Sequence, residues 1–248
     1  MSLDETAREE DLPRWKRHIE GDWSLLLWHP GMSREDPMFR NGTGWLPPNL
    51  LRPDFDPVTL VDVGVATGTP SLYFAYPDAY RVLIEPLEEF QDDLRRLTEE
   101  ANAGGEYHIA ALGAESKEIE IYVDSDMMEA SSILASDWRR PPAEKRVISM
   151  TTLDELLEQH GWTPPFGLKI DVEGFEDDVV RGAEKFLRDT QFVIAEVSVS
   201  KRFDGSYTFA EFIQLMSENG FRLRDILDGA KAGDREILYI DALFSRGE

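Results

Sequence analysis

Thr59-Leu60-Val61-Asp62-Val63-Gly64-Val65-Ala66-Thr67-Gly68-Thr69 decides how this chain folds. A short apolar run ends around Asp62 and breaks into a loop built from Gly64, Ala66 and Gly68. A mostly apolar helical stretch from about 71 to 76 follows. Strand, tight small-residue turn and helix start, in that order, let backbone N–H groups approach a ligand that longer side chains would hold away. About twenty residues further on, Arg81-Val82-Leu83-Ile84-Glu85 reads as a second buried strand closed by a carboxylate, which is placed to take the two hydroxyls of a ribose. The pair predicts a cofactor containing a nucleoside, without saying which.

From Val58 onward the chain keeps this grammar. Pro86 suits a first helical position, and Leu87, Phe90, Leu94 and Leu97 recur at steps of three and four as one apolar helical face. Gly104-Gly105 ends that unit, and Tyr107 to Leu112 is a third strand stopping at Gly113. Ile119, Ile121 and Val123 then alternate with charged or polar neighbours, the pattern of a half-exposed strand. Val147 to Met150 is its expected antiparallel partner, joined by a long polar loop carrying Ser131-Ser132, so a β element is inserted here. Thr152 with Glu155 caps a helix through His160, and Gly161 stops it. Phe166 to Gly174, a strand with its exit, and Phe192 to Val197 are two more core strands. Between them lies a helix with Glu176, Asp177 and Asp178 in its first turn, where the helix dipole favours negative charge. Thr208 and Glu211 cap the last helix, and 221–226 and 237–244 are joined too closely for a parallel crossover, so they pair antiparallel.

Residues 1–57 read as a separate N-terminal extension before a ligand-binding domain over 58–248. The extension holds Trp15, Trp23, Trp28 and Trp45, four of the six Trp, with Pro47, Pro48, Pro53 and Pro57 interrupting any regular element. It is expected to act as a lid over the site or as an interface, which would make the protein a homo-oligomer. A net charge of −23 repels nucleic acid and anionic membrane alike, and neither is an expected partner. The chain has no cysteine, which excludes disulfides, thiolate metal sites and a Cys nucleophile. An acidic, polar start and the lack of a long apolar run make a cytoplasmic location the expectation.

Carboxylates fall where such sheets bind ligands, at the carboxyl ends of the strands: Asp62, Glu85, Asp171 with Glu173, and Glu196. If its strand persists, Lys169, Asp171 and Glu173 share one face. Three readings stay open: a general base for a substrate hydroxyl, a divalent cation held by Asp171, Glu173 and Glu196, or a structural Lys–carboxylate network. His108 reads as a half-buried strand residue, and His18, His29 and His160 show no metal-ligand spacing. Ser131 and Ser132 lack the setting of a hydrolase nucleophile.

The run from Leu60 to Gly68, with Ile84-Glu85-Pro86, Ala111-Leu112-Gly113, Thr152-Leu153-Asp154-Glu155 and Lys169-Ile170-Asp171-Val172-Glu173-Gly174, resembles the FkbM-type S-adenosylmethionine-dependent methyltransferases. The likeness spans about 58 to 196, and the Lys-Ile-Asp-Val-Glu-Gly segment is its most specific part. It implies an α/β class I methyltransferase fold, Rossmann-like, with a seven-stranded, mostly parallel sheet whose last strand is antiparallel. It also implies S-adenosyl-L-methionine as cofactor, and methylation of a hydroxyl on a small molecule, sugar or other natural product. By this resemblance Asp62, Gly64, Ala66, Thr67 and Gly68 surround the methionine part, Glu85 and Pro86 the ribose, and Ala110, Ala111 and Leu112 the adenine. By the same resemblance Asp171 and Glu173 lie beside the acceptor, and with Lys169 they are the catalytic candidates. The family loop commonly reads Gly-Ala-Asn-x-Gly, where this chain has Gly64-Val65-Ala66-Thr67-Gly68. Two other readings remain: a non-catalytic cofactor-binding scaffold of the same fold, and an NAD-dependent oxidoreductase. Against the latter, Thr69 stands where the dinucleotide fingerprint needs Gly or Ala.

Overall fold

The computed structural model describes residues 55–124, 128–135, 144–232 and 236–246. All but the last three positions of the expected extension lie outside those residues. Strand β1 (Thr59–Val63) is buried at every position, as a strand covered by helices on both faces must be. It leads through the glycine loop to α1 (Pro70–Ala75), then to β2 (Tyr80–Glu85). A single 3₁₀ turn, Glu88–Phe90, precedes α2 (Gln91–Glu99). The helix therefore starts later than Pro86 suggests: Leu87 is still extended, and its side chain is buried, as are those of Phe90, Leu94 and Leu97.

The third strand is shorter than its sequence suggests. β3 (Gly105–Ile109) pairs with β2 and stops; beyond Ala110 the chain leaves the main sheet as β4 (Ala111–Leu112). β4 runs parallel to β6 (Glu144–Thr151), and β5 (Lys117–Val123) pairs antiparallel with β6 from Lys117↔Met150 to Val123↔Glu144. This small sheet, ordered β4-β6-β5, is the inserted β element. Ile121 and Val123 turn inward and pack with Leu87 and Phe90.

The chain returns through α3 (Leu153–His160). Thr152 Oγ1 accepts the Glu155 N–H, and Gly161 closes the helix at φ +65°. The Glu155 carboxylate bonds Thr151 and Ser116 instead of completing a reciprocal box. Next come β7 (Phe166–Ile170), the short helices α4 (Glu176–Arg181) and α5 (Glu184–Arg188), and β8 (Thr190–Ser198). α6 (Phe209–Glu218) starts with a full Thr208/Glu211 capping box. β9 (Phe221–Ala232) and β10 (Glu236–Arg246) close the fold, longer than the sequence pattern marked but antiparallel as expected.

The main sheet has the order β3-β2-β1-β7-β8-β10-β9, and β10 runs antiparallel to both its neighbours. Chain order thus reverses direction across the sheet between β1 and β7, whose carboxyl ends lie side by side. A crevice opens at such a switch point because the loops leave in opposite directions. Two apolar layers hold the sheet: Phe186, Phe212 and Phe244 mark one face, Leu72, Leu94 and Phe192 the other. Among the described residues no helix is long and apolar enough to cross a membrane.

Candidate active site

The loop after β1 turns by left-handed backbone at Gly64 (φ +74°), Ala66 (φ +44°) and Gly68 (φ +111°). A Cβ on Gly64 would stand 1.7 Å from the Asp171 carbonyl oxygen, so only glycine lets the β1 and β7 exits meet. Ala66 occupies the place where the resembled loop carries Asn, a residue that tolerates this conformation better than alanine. Ala66→Gly is therefore expected to stabilise the protein by about 0.5–1 kcal/mol, read from denaturant midpoints. A lower midpoint would show that the Ala66 methyl does more by contact than it costs in strain.

Glu85 closes β2 and turns back over this loop. Its Oε2 accepts the Ala66 N–H at 3.0 Å and its Oε1 the Leu87 N–H at 3.1 Å. One lone pair on each oxygen remains for a ligand. Burial pushes the carboxyl up to about 7, against the pull of those two N–H groups and of the Lys169 charge.

Asp62 lies beneath the loop, fully buried. Its Oδ2 accepts the Tyr73 hydroxyl at 2.6 Å. Its Oδ1 accepts no hydrogen bond but lies 3.3 Å from the Lys169 ammonium. Lys169 donates to the Gly64 carbonyl at 3.0 Å and stands 3.4 Å from Asp171 Oδ2. Burial alone would lower the Lys169 amine, but the Asp62 and Asp171 charges outweigh it and hold the group above the usual lysine range. A cation so held has no lone pair to offer, which removes Lys169 as a base with a lowered pKa. It is a strut tying β1 to β7.

The shared face expected for Asp171 and Glu173 fails because β7 ends at Ile170. Glu173 (φ +56°) and Gly174 (φ +97°) turn the chain sharply. The turn is bracketed by Glu176, whose Oε1 accepts the Val172 and Gly174 N–H groups and whose Oε2 accepts the Tyr207 hydroxyl at 2.6 Å. Glu176 is thus a buried cross-tie more than a dipole-matching surface charge. Ser132 Oγ donates to the Glu173 carbonyl at 2.7 Å, fastening the inserted loop to the same turn.

Sequence reasoning missed Arg202. Its guanidinium reaches Glu173 Oε2 at 2.7 Å and Glu196 Oε1 at 2.5 Å, over the Tyr239 ring. Burial, and then the Asp171 and Glu173 charges, raise the Glu196 carboxyl well above its ordinary range, with Arg202 opposing. Asp171, Glu173 and Glu196 each offer an oxygen within 4.8 Å of the others, so the trio expected for a cation does converge. Two of its members already share the arginine's charge. Arg202 sits six positions beyond Glu196 in an irregular loop, where no periodic signal marks it.

A cleft lies over the carboxyl ends of the strands, and its walls follow sheet order. Ala110 to Leu112 stand at one end, then Glu85 and Pro86, then Gly64 and Ala66, and Asp171 with Glu173 at the other. Asp62, Thr67 and Gly68 do not line it; Asp62 and Gly68 support the loop from below, Gly68 against Leu97 and Tyr73. The inserted segment supplies a wall the sequence did not reveal, including Ile121, Met128 and Ile133. Ser131 and Ser132 also face the cavity.

A seven-stranded sheet in this order with one reversed strand, a glycine corner after β1 and a carboxylate closing β2 define a class I methyltransferase. The chain belongs to the FkbM family of these enzymes: the family model "Methyltransferase FkbM domain" matches residues 62–223. Among solved structures, the chain is similar to a protein designated an O-methyltransferase from Klebsiella pneumoniae, at 15% identity and TM-score 0.48, covering 94% of both chains. It is also similar to the 1,6-didemethyltoxoflavin-N1-methyltransferase of Burkholderia thailandensis, at 10% identity and TM-score 0.45, covering 86% of this chain and 82% of that one. A third is the fibrillarin of Aeropyrum pernix, at 14% identity and TM-score 0.43, covering 77% and 68%. No curated protein matches the chain.

Proposed function

We propose that the protein binds S-adenosylmethionine in this cavity and moves its methyl group to a hydroxyl of a small molecule, sugar or other natural product. The observation that carries the proposal is one continuous wall running from Glu85, past the bare Gly64 corner, to Asp171. The residues present fit the cofactor: the two free carboxylate lone pairs of Glu85 suit a ribose diol. Glu85 would hold the ribose, Ala110 to Leu112 the adenine edge, and the Gly64–Ala66 backbone the methionine part. When bound, the cofactor supplies an electrophilic methyl carbon, so the chain's own task is orientation and proton removal. Asp171 is the group we assign to the proton, since its carboxylate lies on the cavity wall at the end away from the adenine. Glu173 would orient the acceptor, held by Arg202. The 1–57 extension would cover the mouth or join two copies.

Calorimetric titration with S-adenosylhomocysteine tests the cofactor half. Glu85 near 7 adds a sign. Its ionised form is the one that accepts both ribose hydroxyls, and below that pH a proton must leave first. Affinity should therefore rise through pH 7, being about tenfold weaker at pH 6 than at pH 8, and Glu85→Gln should be weak and flat with pH. Failure to bind at any pH sinks the cofactor assignment; a flat profile in the unaltered protein sinks the role of Glu85.

A further inference from the structure

Glu106 and His108 lie two apart on edge strand β3 and point to the face opposite Tyr107 and Ile109. There they meet His160, the last residue of α3, and Trp162 just beyond it. None of the four lines the cavity. Glu106 Oε1 is 3.1 Å from His108 Nε2, 3.3 Å from His160 Nδ1 and 2.6 Å from Trp162 Nε1. Three nitrogens thus converge on one carboxylate oxygen, which has two lone pairs. Trp162 can only donate, so it takes one. The two imidazoles then compete for the other, although each has a nitrogen lone pair of its own to offer.

We infer that Glu106, His108 and His160 form a site for a divalent transition-metal ion of the zinc class, separate from the methyl-transfer cavity. Two ligand atoms on a tetrahedral zinc ion, each about 2.0–2.1 Å from it, stand about 3.3 Å apart. The two glutamate–histidine separations match that edge, and the three ligand atoms all fall within 4.8 Å of one another. Two imidazoles and one carboxylate are ligands that borderline ions favour over magnesium or calcium. The surroundings are those of a held ligand set. Trp162 Nε1–H and the Tyr80 hydroxyl, at 3.2 Å from Oε2, both donate to the Glu106 carboxylate and fix its plane. The rings of His160 and Trp162 are stacked, 19° from parallel, and Trp162 is buried against Phe186. Three protein ligands leave a fourth position for water. An ion here would pin the end of α3 to the sheet edge, a structural task.

The test uses the full chain, stripped with a chelator and titrated with Zn²⁺ alone in competition with a chromophoric chelator. One equivalent should bind with micromolar or tighter affinity. The double variant His108→Ala, His160→Ala should lose at least about 100-fold, while Glu196→Gln keeps it. Binding of S-adenosylhomocysteine, or the circular dichroism of the sheet, shows that each variant is folded. Substituting Co²⁺ should give the visible absorption of a four-coordinate nitrogen–oxygen site, lost in the histidine variant. Equal Zn²⁺ affinity in the unaltered protein and a folded histidine variant would overturn the assignment. So would a loss of affinity confined to Glu196→Gln, which would place the ion at the other carboxylates.

Discussion

Asp171→Asn is expected to lower kcat about 100- to 10 000-fold, the range that removal of a general base covers. The change keeps the shape of the side chain and removes its capacity to take a proton. Asp171 lies beyond the end of β7 on the cavity wall, whereas the proposed cofactor contacts come from Glu85, Gly64 and the residues after β3. Affinity for S-adenosylhomocysteine should therefore move less than about threefold, so that the loss falls on turnover and not on binding. The readout is release of S-adenosylhomocysteine with the first hydroxylated acceptor that the unaltered protein turns over, beside calorimetry on the same samples. An unchanged kcat would remove Asp171 as the base. A weakened affinity with unchanged kcat would make it a cofactor ligand instead.

Lys169→Met should lower stability by about 3–5 kcal/mol, the usual consequence of removing one partner from a buried ion pair. Methionine fills nearly the same volume, so the loss is electrostatic rather than steric. Asp62 would remain wholly buried with the Tyr73 hydroxyl as its one side-chain donor among the described residues, and the Gly64 carbonyl would lose the lysine's hydrogen bond. Adding Asp62→Asn should restore part of the loss, because the uncompensated charge goes with it. Denaturant unfolding of both variants gives the comparison. A single-variant loss below about 1 kcal/mol would mean that water or a rearranged side chain replaces the ammonium.

The parts of this fold written locally were legible. β1, its glycine corner and Glu85 show themselves through apolar runs, small residues and spacing, and the capping of α3 and α6 through Thr–Glu pairs at the right separation. The antiparallel ending followed from a connection too short to cross over. What stayed hidden depends on residues that meet only after folding. Arg202 reaches Glu173 across 29 positions, and Ser132 reaches the same turn across 41. The departure of the chain at Ala110 was invisible because Ala111 and Leu112 suit either sheet. Glu176 reads as an ordinary first-turn acid until Tyr207 and two backbone amides are seen around it. His108 and His160 have no ligand spacing along the chain, being 52 positions apart, yet both stand within hydrogen-bond reach of Glu106 Oε1.

Where the Asp171 carbonyl rests against the bare α-carbon of Gly64, peptide meets peptide with no side chain between. Such a joint has no rotamers to adjust, so the two halves of the proposed reaction are gauged from one rigid seam. An altered preference for acceptors would then have to come from the side chains of the inserted wall, Met128 and Ile133 among them, and not from resetting the span below it.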